Sequence, residues 1–114
     1  MKKLSHLNDQ GVAEMINIGN KTESYRYASA RVAVVMHCET LELIRQGLHK
    51  KGDVLSVARV AGIQGAKRCS ELIPLCHPLM LEKIAVDFDF DEELPGVVII
   101  ASCAVSAKTG VEME

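Results

Sequence analysis

The sequence predicts an α+β sandwich of ferredoxin-like type, an antiparallel sheet with helices packed on one face. Period-2 alternation carries the strands: Ala28, Ala30, Val32, Val34 and Met36 are apolar between Tyr25, Tyr27, Ser29 and Arg31, and Ile84, Val86, Phe88 and Phe90 alternate with Ala85, Asp87, Asp89 and Asp91. Helical spacing fills the interval between them, and no Rossmann-type or P-loop glycine fingerprint points to a parallel doubly wound sheet.

The first strand is expected over residues 25–36. Leu41, Ile44 and Leu48 then recur at helical spacing, with Gly47 placed to end a short helix in the left-handed conformation. Asp53 opens a second helix as its N-cap, and Val57, Val60, Ala61, Ile63 and Ala66 form its apolar side opposite Arg59, Gln64, Lys67, Arg68 and Glu71. Gly62 and Gly65 each lower helix propensity by roughly 1 kcal/mol relative to alanine. Their use therefore implies close approach of another backbone or a ligand. Residues 93–96, Glu-Leu-Pro-Gly, form the turn of a hairpin between the strand at 84–90 and one at 97–107. Val98, Ile99 and Ile100 are apolar on both faces of that last strand, which implies cover on both sides, by helices or by another subunit.

The chain has 114 residues, 48% apolar and 25% charged, with a net charge of −2. This suits one domain with one core. No apolar run reaches the roughly 20 residues of a membrane span. The start, Met1-Lys2-Lys3-Leu4-Ser5-His6, lacks the apolar stretch of a secretory signal, so a cytoplasmic protein is expected. Acidic balance, no Trp, two Tyr and two Phe leave no basic field or stacking platform, so neither nucleic acid nor membrane is an expected partner. Cationic side chains nevertheless concentrate at Lys50, Lys51, Arg59, Lys67 and Arg68, a patch suited to a small polyanion. Cys38, Cys69, Cys76 and Cys103 contain no Cys-x-x-Cys pair. Neighbours such as Cys76 and His77 point to opposite sides of an extended segment. Reduced cysteines, no metal and no cofactor are expected.

Two motifs carry the chemistry. In Ile73-Pro74-Leu75-Cys76-His77-Pro78-Leu79-Met80-Leu81, two prolines hold an imidazole in a stiff, non-helical segment. His77 is there either a cap on a backbone carbonyl or a positioned acid/base. In Lys108-Thr109-Gly110-Val111-Glu112-Met113-Glu114, Thr109 and Glu112 match a capping box, so Glu112 is either a reciprocal cap or a catalytic carboxylate.

Together with Lys51-Gly52-Asp53-Val54 and the stretch Ala58-Arg59-Val60-Ala61-Gly62-Ile63-Gln64-Gly65-Ala66-Lys67-Arg68, these motifs resemble the cyclic pyranopterin monophosphate synthase (MoaC) family of molybdenum cofactor biosynthesis. The likeness runs in register from about His6 to the last residue. It implies a hexamer built as a trimer of dimers, with sites at the dimer interface. The implied reaction is a lyase step converting 3′,8-cyclo-7,8-dihydroguanosine 5′-triphosphate to cyclic pyranopterin monophosphate and pyrophosphate. Carried over by residue, the resemblance makes Lys51, Lys67, His77 and Glu112 catalytic. It makes Leu75, Cys76, His77, Met113 and Glu114 substrate-binding, with Arg26 as a further phosphate contact. Family members continue through roughly one more helix and a strand bearing a catalytic aspartate and lysine, so a domain truncated at its C-terminal helix segment is expected. A non-catalytic nucleotide-binding or assembly fragment of the same fold stays open beside the enzyme.

Overall fold

The computed structural model describes residues 4–47 and 52–114, so the expectations placed on Leu48, Lys50 and Lys51 lie outside the described residues. Strand β1 (Ser24–Val35) is followed by helices α1 (Cys38–Gln46), α2 (Val54–Lys67) and the short α3 (Cys69–Leu72), then by strands β2 (Lys83–Asp91) and β3 (Gly96–Ala107). The sheet order is β1-β3-β2, antiparallel at both junctions. Two strands antiparallel to the same neighbour run parallel to each other. β1, the helices and β2 therefore form a split β-α-β unit with β3 inserted between its strands, the α+β arrangement the alternation predicted.

The central position of β3 explains its two-sided apolar start. Both of its edges are hydrogen-bonded, and Val97 and Val98, on opposite faces, are only 3% and 5% exposed. The hairpin closes through residues 92–95, where Asp91 Oδ1 accepts from the backbone N–H of Glu93 at 2.9 Å and Leu94 at 3.4 Å. Gly96 faces β1 so closely that a Cβ there would strike the carbonyl oxygen of Val34.

Local chemistry sets the end of α1 and the start of α2. Gly47, at φ 68°, ends α1 with its N–H turned back on the carbonyls of Leu43 and Ile44. Asp53 caps α2 by accepting from Ser56 N–H at 3.2 Å and from the Ser56 hydroxyl at 2.8 Å. The Ser56 hydroxyl is the main reason its carboxyl is held below the usual aspartate value. Arg45 on α1 pairs with Glu42 and with Glu92 of the hairpin turn, and its guanidinium lies 4.7 Å from the Phe90 ring centroid.

α2 docks on β2. Arg59 Nε donates to the Val86 carbonyl at 2.9 Å, its guanidinium covers Phe88 at 5.3 Å, and Gly62 stands over the Val86 side chain. The two helix glycines thus differ. Gly62 serves a close approach, although to a side chain rather than to a backbone or a ligand, while a Cβ on Gly65 would meet nothing within 4 Å.

Cross-strand register places Ala28, Cys103 and Ile84 side by side on one face of the sheet. Cys103 joins Ala66, Val105, Ala107 and Val111 in the core, with Ala28, Leu79, Leu81 and Ile84 packed around it. Farther along the same face Val32 and Val34 remain 56% and 47% exposed, so the helices cover only part of the sheet. The outline is accordingly long, 54 × 31 × 23 Å, with a radius of gyration of 18.2 Å against about 13 Å for a compact chain of this size.

Substitution at the two kinds of glycine separates these effects. Gly96→Ala should lose roughly 2 kcal/mol or more in urea unfolding, because the new methyl must displace the β1 backbone. Gly65→Ala should be neutral or gain up to about 1 kcal/mol, since helix propensity improves and nothing is struck. Equal effects at the two positions would contradict the β1–β3 contact.

Candidate functional site

The two motifs separated in sequence meet in one cleft of about 250 Å³. One wall is the stretch after β3, where Val111, only 2% exposed, is sunk in the core and holds Thr109, Gly110, Glu112, Met113 and Glu114 at the cleft. The opposite wall is the loop after α3, which presents Leu75, Cys76 and His77 while Leu79 and Leu81 pack against the core. Both segments are anchored by apolar residues a few positions from their polar ones. This geometry lets a loop carry side chains at fixed positions.

Within the loop Leu75 has φ 62°, a left-handed conformation that costs a non-glycine residue of order 1–3 kcal/mol. It follows Pro74, the pairing a type II turn uses, with proline first and positive φ second. His77 Nε2 lies 2.7 Å from the carbonyl oxygen of Ile16. A carbonyl only accepts, so Nε2 carries the proton, and in the neutral ring Nδ1 is left as the acceptor. The imidazole therefore does cap a backbone carbonyl, and the same bond fixes its tautomer at the cleft.

The third wall is a surprise from the N-terminal segment, with His6, Ile16, Ile18 and Lys21. Asn8 Oδ1 shapes this segment by accepting from the N–H groups of Gln10 and Val12 at 2.9 Å, and Lys108 Nζ donates to the Gly19 carbonyl at 3.4 Å. Asn8 and Asn17 are legible turn signals. Nothing local says which surface the turns cross, so Lys21 and His6 escaped the sequence reading.

Cys76 Sγ is 3.9 Å from Cys69 Sγ and 3.6 Å from Glu114 Oε2. Burial first, then the Cys69 hydrogen bond and the Glu114 charge, push its thiol up to about 12. Cys69 and Cys103 are raised as well, again chiefly by burial. At neutral pH Cys76 is thus a thiol that can donate a hydrogen bond, not a nucleophilic thiolate. The expectation of no metal rested on linear spacing and did not anticipate that the fold gathers Cys69, Cys76 and Glu114 within 4.8 Å of one another.

Glu112 is exposed at the cleft, and a Cβ on Gly110 would collide with its carboxylate, so the glycine makes room for that side chain. Six of the expected site residues therefore converge: Leu75, Cys76, His77, Glu112, Met113 and Glu114. Two do not line this cleft. Lys67 borders a separate groove with Leu79, Met80, Leu81 and Ile84, and Arg26 Nε donates to the Ala107 carbonyl at 3.5 Å. Lys51 lies outside the described residues.

An imidazole of fixed tautomer, two carboxylates and a lysine around a cleft on an α+β scaffold define a small-molecule site with acid/base capacity. The chain belongs to the MoaC family, whose model matches residues 15–114. It is 51% identical over 114 residues to the cyclic pyranopterin monophosphate synthase of Jannaschia sp., spanning all of this chain and 70% of that protein. It is 53% identical over 112 residues to the proteins of that name from Brucella ovis and Brucella suis, spanning 98% of this chain and 68% of theirs.

Thiol chemistry reports the burial directly. Iodoacetamide at pH 8, followed by peptide mapping, should label exposed Cys38 first and Cys76 at least about 10²-fold more slowly, because so little of a thiol with so high a pKa is ionised. Labelling of Cys76 should accelerate as pH rises. Rapid labelling at pH 8 would mean the thiol is neither buried nor crowded by Glu114.

Proposed function

We propose that the chain performs the cyclic pyranopterin monophosphate synthase reaction of molybdenum cofactor biosynthesis, converting 3′,8-cyclo-7,8-dihydroguanosine 5′-triphosphate to cyclic pyranopterin monophosphate and pyrophosphate. The observation that carries this reading is the convergence of residues 75–77 and 109–114 on one cleft, in a chain half identical to proteins bearing that name.

Ring opening and reclosure require proton transfers, for which His77 Nδ1 and the exposed Glu112 carboxylate are the acceptors and donors. Closing the cyclic phosphate forms a bond from a ribose hydroxyl to the α-phosphorus and breaks the α–β anhydride. Charge then gathers on the departing pyrophosphate. Lys51 and Lys67 stabilise that charge, with Lys21 of the N-terminal wall as a further cation and Arg26 as a phosphate contact. Leu75, Cys76, Met113 and Glu114 contact the substrate.

Lys67 joins this site in the assembly. The chain acts as a single domain in a cytoplasmic hexamer, a trimer of dimers, with Lys67 reaching the cleft of a second copy. The partly uncovered sheet, with Val32, Val34 and Val35 exposed, and the elongated outline support an interface between subunits.

Two experiments test the roles. His77→Gln keeps a side-chain N–H for the Ile16 carbonyl but has no titrating ring. It should leave the melting temperature within a few degrees while product formation falls by roughly 10²-fold or more. Turnover at the normal rate would remove His77 from the chemistry. Separately, Lys67→Ala and His77→Ala subunits should each be inactive alone and recover activity when dissociated and reassembled together. No recovery would place Lys67 and His77 of the same chain in one site, and normal activity of the Lys67→Ala subunits alone would place Lys67 in none.

A further inference from the structure

We infer that Cys69, Cys76 and Glu114 form a binding site for one thiophilic divalent cation, zinc by its donor set, at the edge of the cleft. Cys69 opens α3, Cys76 sits in the proline-bounded loop, and Glu114 follows the core anchor Val111, so three separately anchored segments bring these atoms together. Tetrahedral zinc with Zn–S of about 2.3 Å and Zn–O of about 2.0–2.2 Å requires donor separations of about 3.8 Å between sulfurs and about 3.5 Å between sulfur and oxygen. The observed separations are 3.9 Å for Cys69 Sγ to Cys76 Sγ and 3.6 Å for Cys76 Sγ to Glu114 Oε2. The remaining edge is no longer than 4.8 Å, within reach of a small rotation of the carboxylate.

A second observation, independent of these distances, points to a ligand. Glu114 Oε1, the second oxygen of the same carboxylate, is buried and has no hydrogen-bond partner among the described residues, a costly condition that a cation held by this carboxylate would relieve. Two sulfurs and one carboxylate select zinc over magnesium or calcium, which prefer oxygen throughout. Three protein ligands leave a fourth coordination position, the pattern of an open rather than a closed structural site. Since Cys76 and Glu114 also line the cleft, a bound ion would touch whatever the cleft holds through two of its three ligands.

Metal titration decides the matter without any assay of turnover, so its failure is separate from failure of the proposed reaction. Reduced, chelator-treated protein titrated with Co²⁺ should bind one equivalent with a thiolate-to-cobalt charge-transfer band and the intense visible bands of a tetrahedral ion. Zn²⁺ should bleach those bands stoichiometrically. Cys69→Ser should weaken binding by about 10²-fold or more, and Glu114→Gln, at a half-buried position where folding is less at risk, by about tenfold or more. Cys38→Ser, distant in sequence and exposed, should leave the spectrum unchanged. Absence of a thiolate band on adding cobalt would overturn the site, as would bands that survive in both Cys69→Ser and Glu114→Gln or vanish in Cys38→Ser.

Discussion

The pairing of β3 along both of its edges is the constraint on which the rest depends. All twelve of its residues pair with β1 on one side, and residues 96–104 pair with β2 on the other, so a shift of one position would turn Cys103, Val105 and Ala107 out of the core. Register is held at the hairpin end, where Asp91 organises the turn and Gly96 admits the β1 backbone. The opposite end of β3 delivers the chain to the cleft. Position along this strand therefore translates directly into position at the site.

Polar groups at the cleft are held by apolar anchors in their own segments. Val111 fixes the stretch bearing Glu112 and Glu114, and Leu79 and Leu81 fix the loop bearing Cys76 and His77. Among the described residues, Leu75 of that loop is the non-glycine residue with a left-handed backbone, and it lies beside Cys76 and His77 at the cleft. The N-terminal segment is tied on by polar bonds instead, from His77 Nε2 to Ile16 and from Lys108 to Gly19. Opening that wall would cost hydrogen bonds rather than core packing, so it is the wall best suited to admit a ligand.

The thiols follow from the same arrangement. Cys103 of β3 packs in the core with Ala66 of α2, and Cys69, the first residue of α3, is buried as well, so both serve as compact hydrophobes. Burial is the largest cause of the raised Cys76 pKa, and its neighbours Cys69 and Glu114 add to it by disfavouring a negative charge there. Sequence neighbours such as Cys76 and His77 turned out to have separate environments, whereas Cys69, which opens α3, and Cys76, in the loop after it, became partners.

Interactions within a few residues were legible in the sequence. The cap at Asp53, the left-handed stop at Gly47 and the turn expected at residues 93–96 are set by side chains acting on their own backbone, and the structure repeats them to within a residue. The alternating stretches also form β1 and β2, although β1 stays exposed on both faces over residues 29–35. The motifs at 73–81 and 108–114 could likewise be singled out, since proline and glycine restrict or free the chain locally. Which surfaces meet was not written there. Placing Lys21 and His6 in the cleft, Lys67 outside it, and Cys69 and Glu114 beside Cys76 required the insertion of β3 between β1 and β2. That pairing joins segments far apart in the chain, and its free energy comes from burial summed over the whole sheet rather than from any short window of residues.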